Sequence, residues 1–377
     1  MVGNQERSNM ETTQIYSMVN DIVQQTMGGS DIEVCDTNSL VALGNTVLNS
    51  SSNTEAFLNT IVQRIGKTII SYRPYTSQLS LLDVGDMEWG QIMQKIKVDM
   101  PTAEADPTYD LVDGESIDMY KVHKPKAHQK LFVKRTPVDY SITTQRKALK
   151  EAFNSAEAMG NFQAAVSGEV RNAIELGQED LGRLTMANFI ANMGSNQIIH
   201  LVTEYNTATG RTVPTGMAAT LDEPFLRWAI ARIKNISTKM QTMSVLYNND
   251  GFQRHSPFEM QRFVYYVDFM TALETQVQYA AFHDEYVKLA TGIAVPYWQA
   301  AKNETRIEVT NEDNETIALN NLVAFIHDRD ALGTYRKEEE ALTTPVNSKG
   351  RYYNTDWHVD NLYFNDMSEN GIAFTLD

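Results

Sequence analysis

The longest run of regularly spaced apolar residues in the chain extends from Asn161 to Met193. Apolar side chains recur there at steps of three or four residues, which is the spacing of one face of an α-helix. The residues of this stripe are Phe162, Val166, Val170, Ala173, Ile174, Gly177, Leu181, Leu184, Ala187 and Ile190. At 1.5 Å per residue the run would extend roughly 50 Å, well beyond an average helix. It predicts one long helix that crosses a whole domain, although a core helix of an ordinary α+β enzyme would give the same pattern.

The chain before this helix is predicted to start with shorter helices. Within residues 14–27, Ile15, Val19 and Ile22 fall on one helical face, which predicts a short amphipathic N-terminal arm. Two further helices are predicted between residues 36 and 65, and a polar Ser/Asn linker at residues 49–53 separates them.

Residues 80–142 predict a long two-stranded hairpin that projects from the rest of the molecule. Apolar residues are sparse there, and residues 101–116 are rich in Pro, Asp, Thr and Gly, as exposed loop tips are. Between residues 83 and 118, ten acidic residues face only Lys95 and Lys97, whereas residues 121–135 hold six basic residues and no acid. Oppositely charged strands can neutralise each other or fit a complementary surface on a neighbour. Because an exposed ion pair contributes only ~0–1 kcal/mol, charge alone leaves both interpretations open.

After the long helix the pattern alternates between strand and helix. Residues 198–205 and 263–267 are predicted as strands, and Asp222 with Pro224 in the first turn predicts the start of a helix between them. This alternation is typical of an α/β unit.

The last quarter of the chain is predicted to be mostly β. Residues 306–319 alternate around a turn as a hairpin, and residues 322–326 read as a buried strand. Residues 372–376 alternate to the end, which places a C-terminal strand in a sheet, and the charged run 336–340 is predicted on the surface. Together with the long helix, this predicts an α+β fold.

Composition narrows the possible partners. The 377 residues are 42% hydrophobic, enough for a sizeable core, and the net charge of −16 repels free nucleic acid and anionic membranes. Cys35 is the single cysteine, so an intrachain disulfide and a multi-cysteine metal cluster are excluded. The first thirty residues lack a signal-peptide pattern, and there is no run of about 18 apolar residues. We therefore expect a protein made and kept in a reducing cytoplasm.

Motifs that carry chemistry are nearly absent from the sequence. There is no GxGxxG, GxxxxGKS/T, GxSxG or HExxH. One enzymatic alternative is a metal-dependent hydrolase that uses two His-Asp dipeptides and further polar residues to hold a divalent metal and activate water. The candidate ligands are His283, Asp284, His327, Asp328, His255, Asp330 and Asp360. Polar residues at the ends of elements explain them better, since a metal hydrolase of this kind would hold its ligands on packed helices and residues 326–330 look like a strand that runs into a turn. No catalytic, cofactor-binding or metal-binding residue and no cofactor are therefore predicted.

The order of elements and several short motifs resemble the tailed-bacteriophage major capsid protein of the Hong Kong 97 fold, in its small tailed-phage form. The order is N-terminal helical arm, extended hairpin, long helix, α/β unit and β-rich end. The motifs are YRPY at residues 72–75, DMEWG at 86–90, Lys95 with Ile96, HSP at 255–257, YYVD at 265–268, VAFIHDRDALG at 323–333 and NGIAFTL at 370–376. They mark packing and loop positions and contain no catalytic signature.

The resemblance implies an architecture. Residues 1–70 would form the N-terminal arm and helices, 71–140 the extended E-loop hairpin, 141–197 the spine helix of the P-domain, 198–300 the A-domain, and 301–377 the β-rich return to the A- and P-domains with its C-terminal strand. The E-loop would lie over an adjacent subunit, and the N-terminal helix would grip another. The residues predicted to make these assembly contacts are Trp89, Lys95, Lys97, Asp106, Asp110, Lys121, Lys124, Lys126, Ile15, Val19 and Ile22.

The resemblance also implies a structural function, with no enzymatic activity. The chain would form hexamers and pentamers in an icosahedral or prolate shell, around double-stranded DNA that it encloses without reading its sequence. Scaffolding and portal proteins would be its partners, no membrane would be involved, and the virion capsid would assemble in the bacterial host cytoplasm. Another structural virion protein, such as a tail component, is the remaining alternative.

Overall fold

The computed structural model of the chain describes residues 12–27, 33–65, 75–79, 82–86, 92–104, 106, 112–114, 116–118, 120–277, 292–310 and 314–377. Its α-helices are α1 Thr12–Met27, α2 Thr37–Leu48, α3 Ser51–Ile65, α4 Arg146–Ala152, α5 Ala156–Ala191, α6 Leu201–Thr209, α7 Glu223–Met240 and α8 Val267–Ala272. Its strands are β1 Asp83–Asp86, β2 Met93–Val98, β3 Ala127–Phe132, β4 Arg135–Gln145, β5 Ile198–His200, β6 Gln261–Tyr266, β7 Ile293–Val295, β8 Ile307–Thr310, β9 Thr316–Leu319, β10 Leu322–Asp328, β11 Leu332–Thr343, β12 Tyr352–Asn365 and β13 Gly371–Thr375.

The predicted long helix is confirmed as α5, which has 36 residues. Ser155 caps its start, because the Ser155 hydroxyl accepts a hydrogen bond from the Ala158 amide at 3.1 Å. Three apolar clusters follow one another along its length. Met159 packs with the N-terminal helices, Ile174 packs with β12, and Phe189 lies in the large core around a five-stranded sheet. The helix therefore connects every apolar cluster of the described chain.

One residue of the apolar stripe predicted on α5 is not buried. Leu184 is 46% exposed, whereas Leu181 and Ala187 are buried. Near the end of α5, Met186, Phe189 and Ile190 are also buried, so burial is not confined to a single straight stripe there.

The large core surrounds a sheet with the strand order β5-β13-β10-β6-β7. Every residue of β10 and of β13 is buried, and the two strands pair antiparallel from Leu322 opposite Thr375 to His327 opposite Gly371. The predicted C-terminal strand is thus confirmed, in an interior position of the sheet. The helix predicted from Asp222 is also confirmed as α7, and the Asp222 carboxylate accepts a hydrogen bond from the Phe225 amide at 2.9 Å.

A second sheet has the order β1-β11-β12-β4 and packs against the middle of α5. Val138 and Tyr140, predicted within the projecting hairpin, lie in β4 of this sheet instead, where Tyr140 pairs with Trp357 of β12. The prediction failed because the alternation of β4 does not reveal which strand it pairs with. The charged run lies in β11, and its residues Glu339 and Glu340 are exposed, as predicted.

The strand predicted for residues 198–205 is only partly correct. It ends at His200, and Leu201–Thr209 forms helix α6. The buried residues of this segment, Leu201, Val202 and Tyr205, have helical spacing, and burial of that face outweighs the β-propensity of the sequence.

The N-terminal helices form a compact unit on their own chain. Ile15, Val19 and Ile22 of α1 are at most 3% exposed and share a cluster with buried residues of α2, α3, α4 and α5. In this conformation their apolar surface is already buried within the chain, and their role as contacts to another subunit stays a prediction. None of the described helices is long and apolar enough to cross a membrane.

The interior position of β13 generates a prediction for stability. Replacing the fully buried Phe374 by Ala should lower the free energy of unfolding by roughly 3–5 kcal/mol, since it removes a large ring and leaves a cavity. Phe258→Ala makes the same chemical change at a ring that is 51% exposed and should cost far less. Urea unfolding of the unassembled subunit measures both variants, and equal losses would show that β13 is not part of the core.

Candidate assembly interface

The projecting hairpin has an unusual distribution of polar and apolar side chains. Its strands β2 and β3 pair antiparallel, from Met93 opposite Phe132 to Val98 opposite Ala127. The face directed at the body of the molecule carries lysines, whereas the opposite face carries Ile96, Val98 and Leu131, which are 62%, 59% and 54% exposed. A sheet that covered its own core would have the reverse arrangement.

The lysines of the inner face converge on Asp366, which follows the last residue of β12. The carboxylate of Asp366 lies 2.8 Å from Lys95 Nζ, 2.9 Å from Lys97 Nζ and 3.0 Å from Lys130 Nζ. The side chain of Asp366 is fully buried and that of Lys97 nearly so. Two strands of the hairpin thus bind one carboxylate from a distant part of the chain.

Residues 366–370 form the turn that presents this carboxylate. Asp366 accepts hydrogen bonds from the amide and hydroxyl of Ser368, at 3.1 and 2.5 Å. Glu369 adds a second acid, with its carboxylate 2.8 Å from Lys95 Nζ and 3.0 Å from Lys97 Nζ. We call the set formed by Lys95, Lys97, Lys130, Asp366 and Glu369 the hairpin clamp.

The electrostatics of the clamp favour a charged Asp366. Burial alone would raise the pKa of this carboxyl, but the close ammonium groups of Lys95 and Lys97 and the hydrogen bond from Ser368 outweigh burial and hold the pKa of Asp366 well below its ordinary value. The unfolded chain binds a proton at a higher pH than the folded one does. The stabilisation by Asp366 is therefore present above about pH 4 and is lost only as the pH falls through the lowered folded-state pKa.

Aromatic side chains support the base of the same hairpin. The rings of Phe132 and Phe364 lie 5.5 Å apart, and the ring of His128 meets that of Phe252 edge-on at 5.1 Å. Lys97 Nζ lies 5.7 Å from the centre of the Phe252 ring. The hairpin base is therefore fixed to its own chain by charge and by packing together.

The tip of the hairpin is exposed in its described parts. Lys121 Nζ lies 3.1 Å from the Glu104 carboxylate, and both side chains are about three-fifths exposed. This pair neutralises charge within the hairpin, one of the two interpretations that the sequence allowed. Asp106, Lys124 and Lys126 are exposed.

The structure therefore separates the residues predicted as assembly contacts. Lys95 and Lys97 lie together in the clamp on their own chain, while Lys121, Lys124 and Lys126 lie on the tip. Trp89 and Asp110 lie outside the described residues. Sequence reasoning missed Asp366, Glu369 and the outward row of Ile96, Val98 and Leu131. The alternation of Lys95, Ile96, Lys97 and Val98 was the available signal for that row, whereas nothing local links Asp366 to β2.

The candidate metal ligands do not form a site in the described part of the chain. His283 and Asp284 lie outside it, and no group of three or more His, Cys, Asp or Glu side chains among the described residues could hold a metal ion. His327 is buried, stacks on Phe325 at 4.9 Å and donates from Nδ1 to the Asp328 carbonyl at 2.8 Å. Burial lowers the pKa of His327 to about 4, so this residue is a neutral core side chain at neutral pH.

The clamp predicts the effect of removing one charge. Asp366→Asn should lower the free energy of unfolding by roughly 3 kcal/mol, because it removes the fully buried carboxylate that pairs with all three lysines and leaves only Glu369 near the buried Lys97. Amide exchange in β2 and β3 should become faster at the same time. Glu104→Gln breaks an exposed ion pair of the same hairpin and should cost far less, because solvent screens that pair. Unchanged exchange in β2 and β3 of Asp366→Asn would contradict the clamp.

His327 predicts a pH dependence of stability. Its pKa falls from an ordinary 6.5 to about 4 in the folded chain, so between these values the unfolded state binds the proton first. Stability should fall by as much as about 3 kcal/mol as the pH drops from about 6.5 to about 4. His327→Gln should remove this slope, and His255→Gln, a change at an exposed histidine, should keep it. Identical slopes in denaturant titrations of the wild type and His327→Gln would refute the assignment.

Comparison with known proteins identifies the family to which the chain is similar. A sequence model described as Phi29-like phage major capsid protein matches residues 15–375. The major capsid protein of Bacillus phage GA-1 is 20% identical over 186 residues, which are 49% of this chain and 39% of that protein. The chain thus spans about two fifths of the length of that curated relative.

Two solved structures share the fold. A chain of the capsid of Staphylococcus phage Andhra superposes with a TM-score of 0.56 at 14% identity, over 82% of this chain and 87% of that one. A chain from the structure of the head fiber and inner core protein gp22 of native bacteriophage P68 gives 0.51 at 11% identity, over 82% and 87%. The predicted α+β fold of the Hong Kong 97 type is thereby confirmed. Because the family match covers nearly the whole length of the sequence, the chain belongs to the Phi29-like phage major capsid protein family.

Proposed function

We propose that this major capsid protein assembles with copies of itself into the closed phage head, and that the outward face of the hairpin is a contact between neighbouring subunits. The observation that carries this proposal is the polarity of the hairpin. Its lysines face the chain's own body, and Ile96, Val98 and Leu131 face away from it.

The clamp supports this proposal energetically. An exposed apolar row gains free energy when it is covered, by roughly 1.5–3 kcal/mol for each large side chain that becomes fully buried. The hairpin cannot cover this row by turning its other face toward the body of its own chain. That change would place apolar side chains against the carboxylates of Asp366 and Glu369 and would leave the lysines without partners. A second molecule must therefore supply the covering surface.

A second copy of this chain is the partner that fits best. Capsid proteins of this family build shells from many copies, and closed assemblies repeat the same contact at every subunit. Hexamers and pentamers of an icosahedral or prolate shell satisfy this requirement. The N-terminal helix α1 has no place in this contact through Ile15, Val19 and Ile22, because these side chains already lie in the core of their own chain.

The remaining roles follow from the same proposal. The hairpin within residues 71–140 would act as the E-loop, α5 within 141–197 as the spine helix, and residues 198–300 as the A-domain, with 301–377 supplying strands to both sheets. The protein would be structural and not catalytic, would work with scaffolding and portal proteins, and would assemble in the bacterial cytoplasm into the virion capsid. Its net charge of −16 would keep enclosed double-stranded DNA from adhering broadly to the wall.

The hairpin contact is tested by a change of polarity at exposed positions. Ile96→Glu with Val98→Glu should leave the stability of the unassembled subunit nearly unchanged, because both side chains are already more than half exposed. The same variant should form few or no shells in negative-stain electron microscopy, since assembly would bury two unpaired charges.

The matched control exchanges the two aliphatic residues. Ile96→Val with Val98→Ile keeps the row apolar and should assemble as the wild type does. Normal shells from the glutamate variant, with a subunit that remains folded by circular dichroism, would remove the hairpin row from the mechanism.

A further inference from the structure

A basic cavity lies where three separate parts of the chain meet, at the C-terminal end of β4. Its walls are the end of α2, the junction of β4 with α4, and the turn between β11 and β12. It is a cleft about half open to solvent, with a volume of about 760 Å³, within the roughly 300–1,000 Å³ typical of ligand sites. The lining residues are Asn45, Leu48, Asn49, Gln145, Arg146, Lys147, Lys150, Gly350 and Arg351.

The charge of this lining is opposite to that of the chain. Arg146, Lys147, Lys150 and Arg351 are cationic, and none of the described residues that line the cavity is acidic. Acids outnumber bases by 48 to 32 over the whole sequence, so four cations around one cavity are a local reversal. Lys147 pairs with Glu151 at 3.8 Å, and both side chains are well exposed. Such a weak exposed pair leaves the positive potential of the cavity nearly intact.

Arg146 holds the walls of the cavity together. Its guanidinium donates a hydrogen bond to the Leu48 carbonyl at the end of α2, and its backbone amide donates to the Arg351 carbonyl at 2.9 Å. The cations are therefore attached to one framework and do not lie on unrelated loops.

The turn that carries Arg351 is fixed as well. Asn347 Oδ1 accepts hydrogen bonds from the amides of Lys349 and Gly350, at 3.1 and 2.9 Å, and the Arg351 amide donates to the Asn347 carbonyl at 2.7 Å. Arg351 has a φ of 53°, in the left-handed region that is unfavourable for a residue with a long side chain. The turn maintains this conformation, and it places the Arg351 side chain in the cavity lining.

We propose that this cavity binds a phosphate group. Guanidinium groups match the oxygens of phosphate with paired N–H donors, and the lysines add charge without demanding a fixed geometry. Asn45 and Asn49 lie one helical turn apart on the same wall and supply neutral amide donors. The phosphate can come from the backbone of double-stranded DNA or from the free anion. The first source rests on the proposed function, in which the subunit faces enclosed DNA.

A phosphate of the DNA backbone suits a concave site on an otherwise repulsive surface. The backbone is a convex ridge in which each strand carries one negative charge for roughly every 3.4 Å along the helix axis. Two neighbouring phosphates could therefore contact the four cations. The broad negative surface would prevent contact elsewhere. The wall of the shell would then touch DNA at one defined point in each subunit, without sequence recognition.

The first experiment measures binding of a short labelled DNA duplex to the unassembled full-length subunit by fluorescence anisotropy, at salt concentrations from roughly 50 to 200 mM. The wild type should bind at the low end of this range. Lys150→Gln with Arg351→Asn should weaken binding about tenfold and reduce the slope of log K against log salt by about 0.9 for each contact removed. Asn is chosen because it tolerates the left-handed conformation of residue 351.

The control also removes two positive charges, but at positions outside the cavity. Lys302→Gln with Lys349→Gln changes two exposed lysines that are not part of the lining, one of them in the same turn as Arg351. This variant should bind DNA nearly as the wild type does. No binding by the wild type, or equal losses in both double variants, would overturn the proposal.

A competition arm separates the two sources of phosphate. Inorganic phosphate is added to the wild-type complex against chloride at matched ionic strength. Displacement of the duplex beyond the effect of chloride identifies the free anion as a ligand, whereas equal effects identify the nucleic-acid backbone.

Electron microscopy of the variant Lys150→Gln with Arg351→Asn distinguishes a failure of this proposal from a failure of the proposed function. Shells that form normally while DNA binding is lost support both. Loss of shells together with wild-type DNA binding would overturn the phosphate site and would assign the cavity to an acidic surface of a neighbouring protein. Failure of the wild type to form shells would count against the proposed function alone, since duplex binding is measured on the unassembled subunit.

Discussion

A buried carboxylate requires cations at close range, and Asp366 obtains them from two strands that are more than two hundred residues earlier in the chain. Lys95, Lys97 and Lys130 can reach it only if the inner face of the hairpin is polar. Because successive side chains of a strand point to opposite faces, the apolar residues between these lysines must then point outward. One buried charge thus decides which face of the hairpin points outward.

The long helix α5 gives this arrangement a rigid base. Besides joining the three apolar clusters, it carries a buried ion pair in which Arg183 donates a hydrogen bond to Glu179. Glu179 also accepts hydrogen bonds from the Tyr75 hydroxyl and the Gln78 amide, and Arg183 lies 4.1 Å from the centre of the Tyr297 ring. Residues just before the hairpin are thereby fixed to the same helix that supports both sheets. The hairpin therefore has a fixed orientation relative to the rest of its own chain.

The sequence predicted the elements that local physics determines. Helix α5 follows from apolar spacing, the start of α7 follows from the cap at Asp222, and β13 follows from alternation at the chain end. The segment 198–205 was misjudged because burial of Leu201 and Tyr205 on one helical face outweighed β-propensity. The spacing of Ile15 and Val19 indicates that a helical face is buried, without indicating by which chain, and the structure buries that face within the chain itself.

The candidate interface was predictable only in part, for a related reason. The opposite charges of the hairpin strands were visible in the sequence, and the expectation of a projecting arm with an exposed tip agrees with the described residues. The attachment of its base to the chain's own body was not foreseen, since Asp366 and Lys97 are brought together by tertiary structure alone. A segment with few apolar residues can still be fixed to its own molecule when buried charges hold it.

The clamp directs an apolar row outward, and we propose that assembly covers this row. Hydroxyl-radical footprinting of the free subunit and of assembled shells measures this directly. We expect strong labelling of Ile96, Val98 and Leu131 in the free subunit and protection of several-fold in shells, whereas labelling of the half-buried Met93 on the inner face should be the same in both states. Equal labelling of the row in the free and assembled states would contradict it.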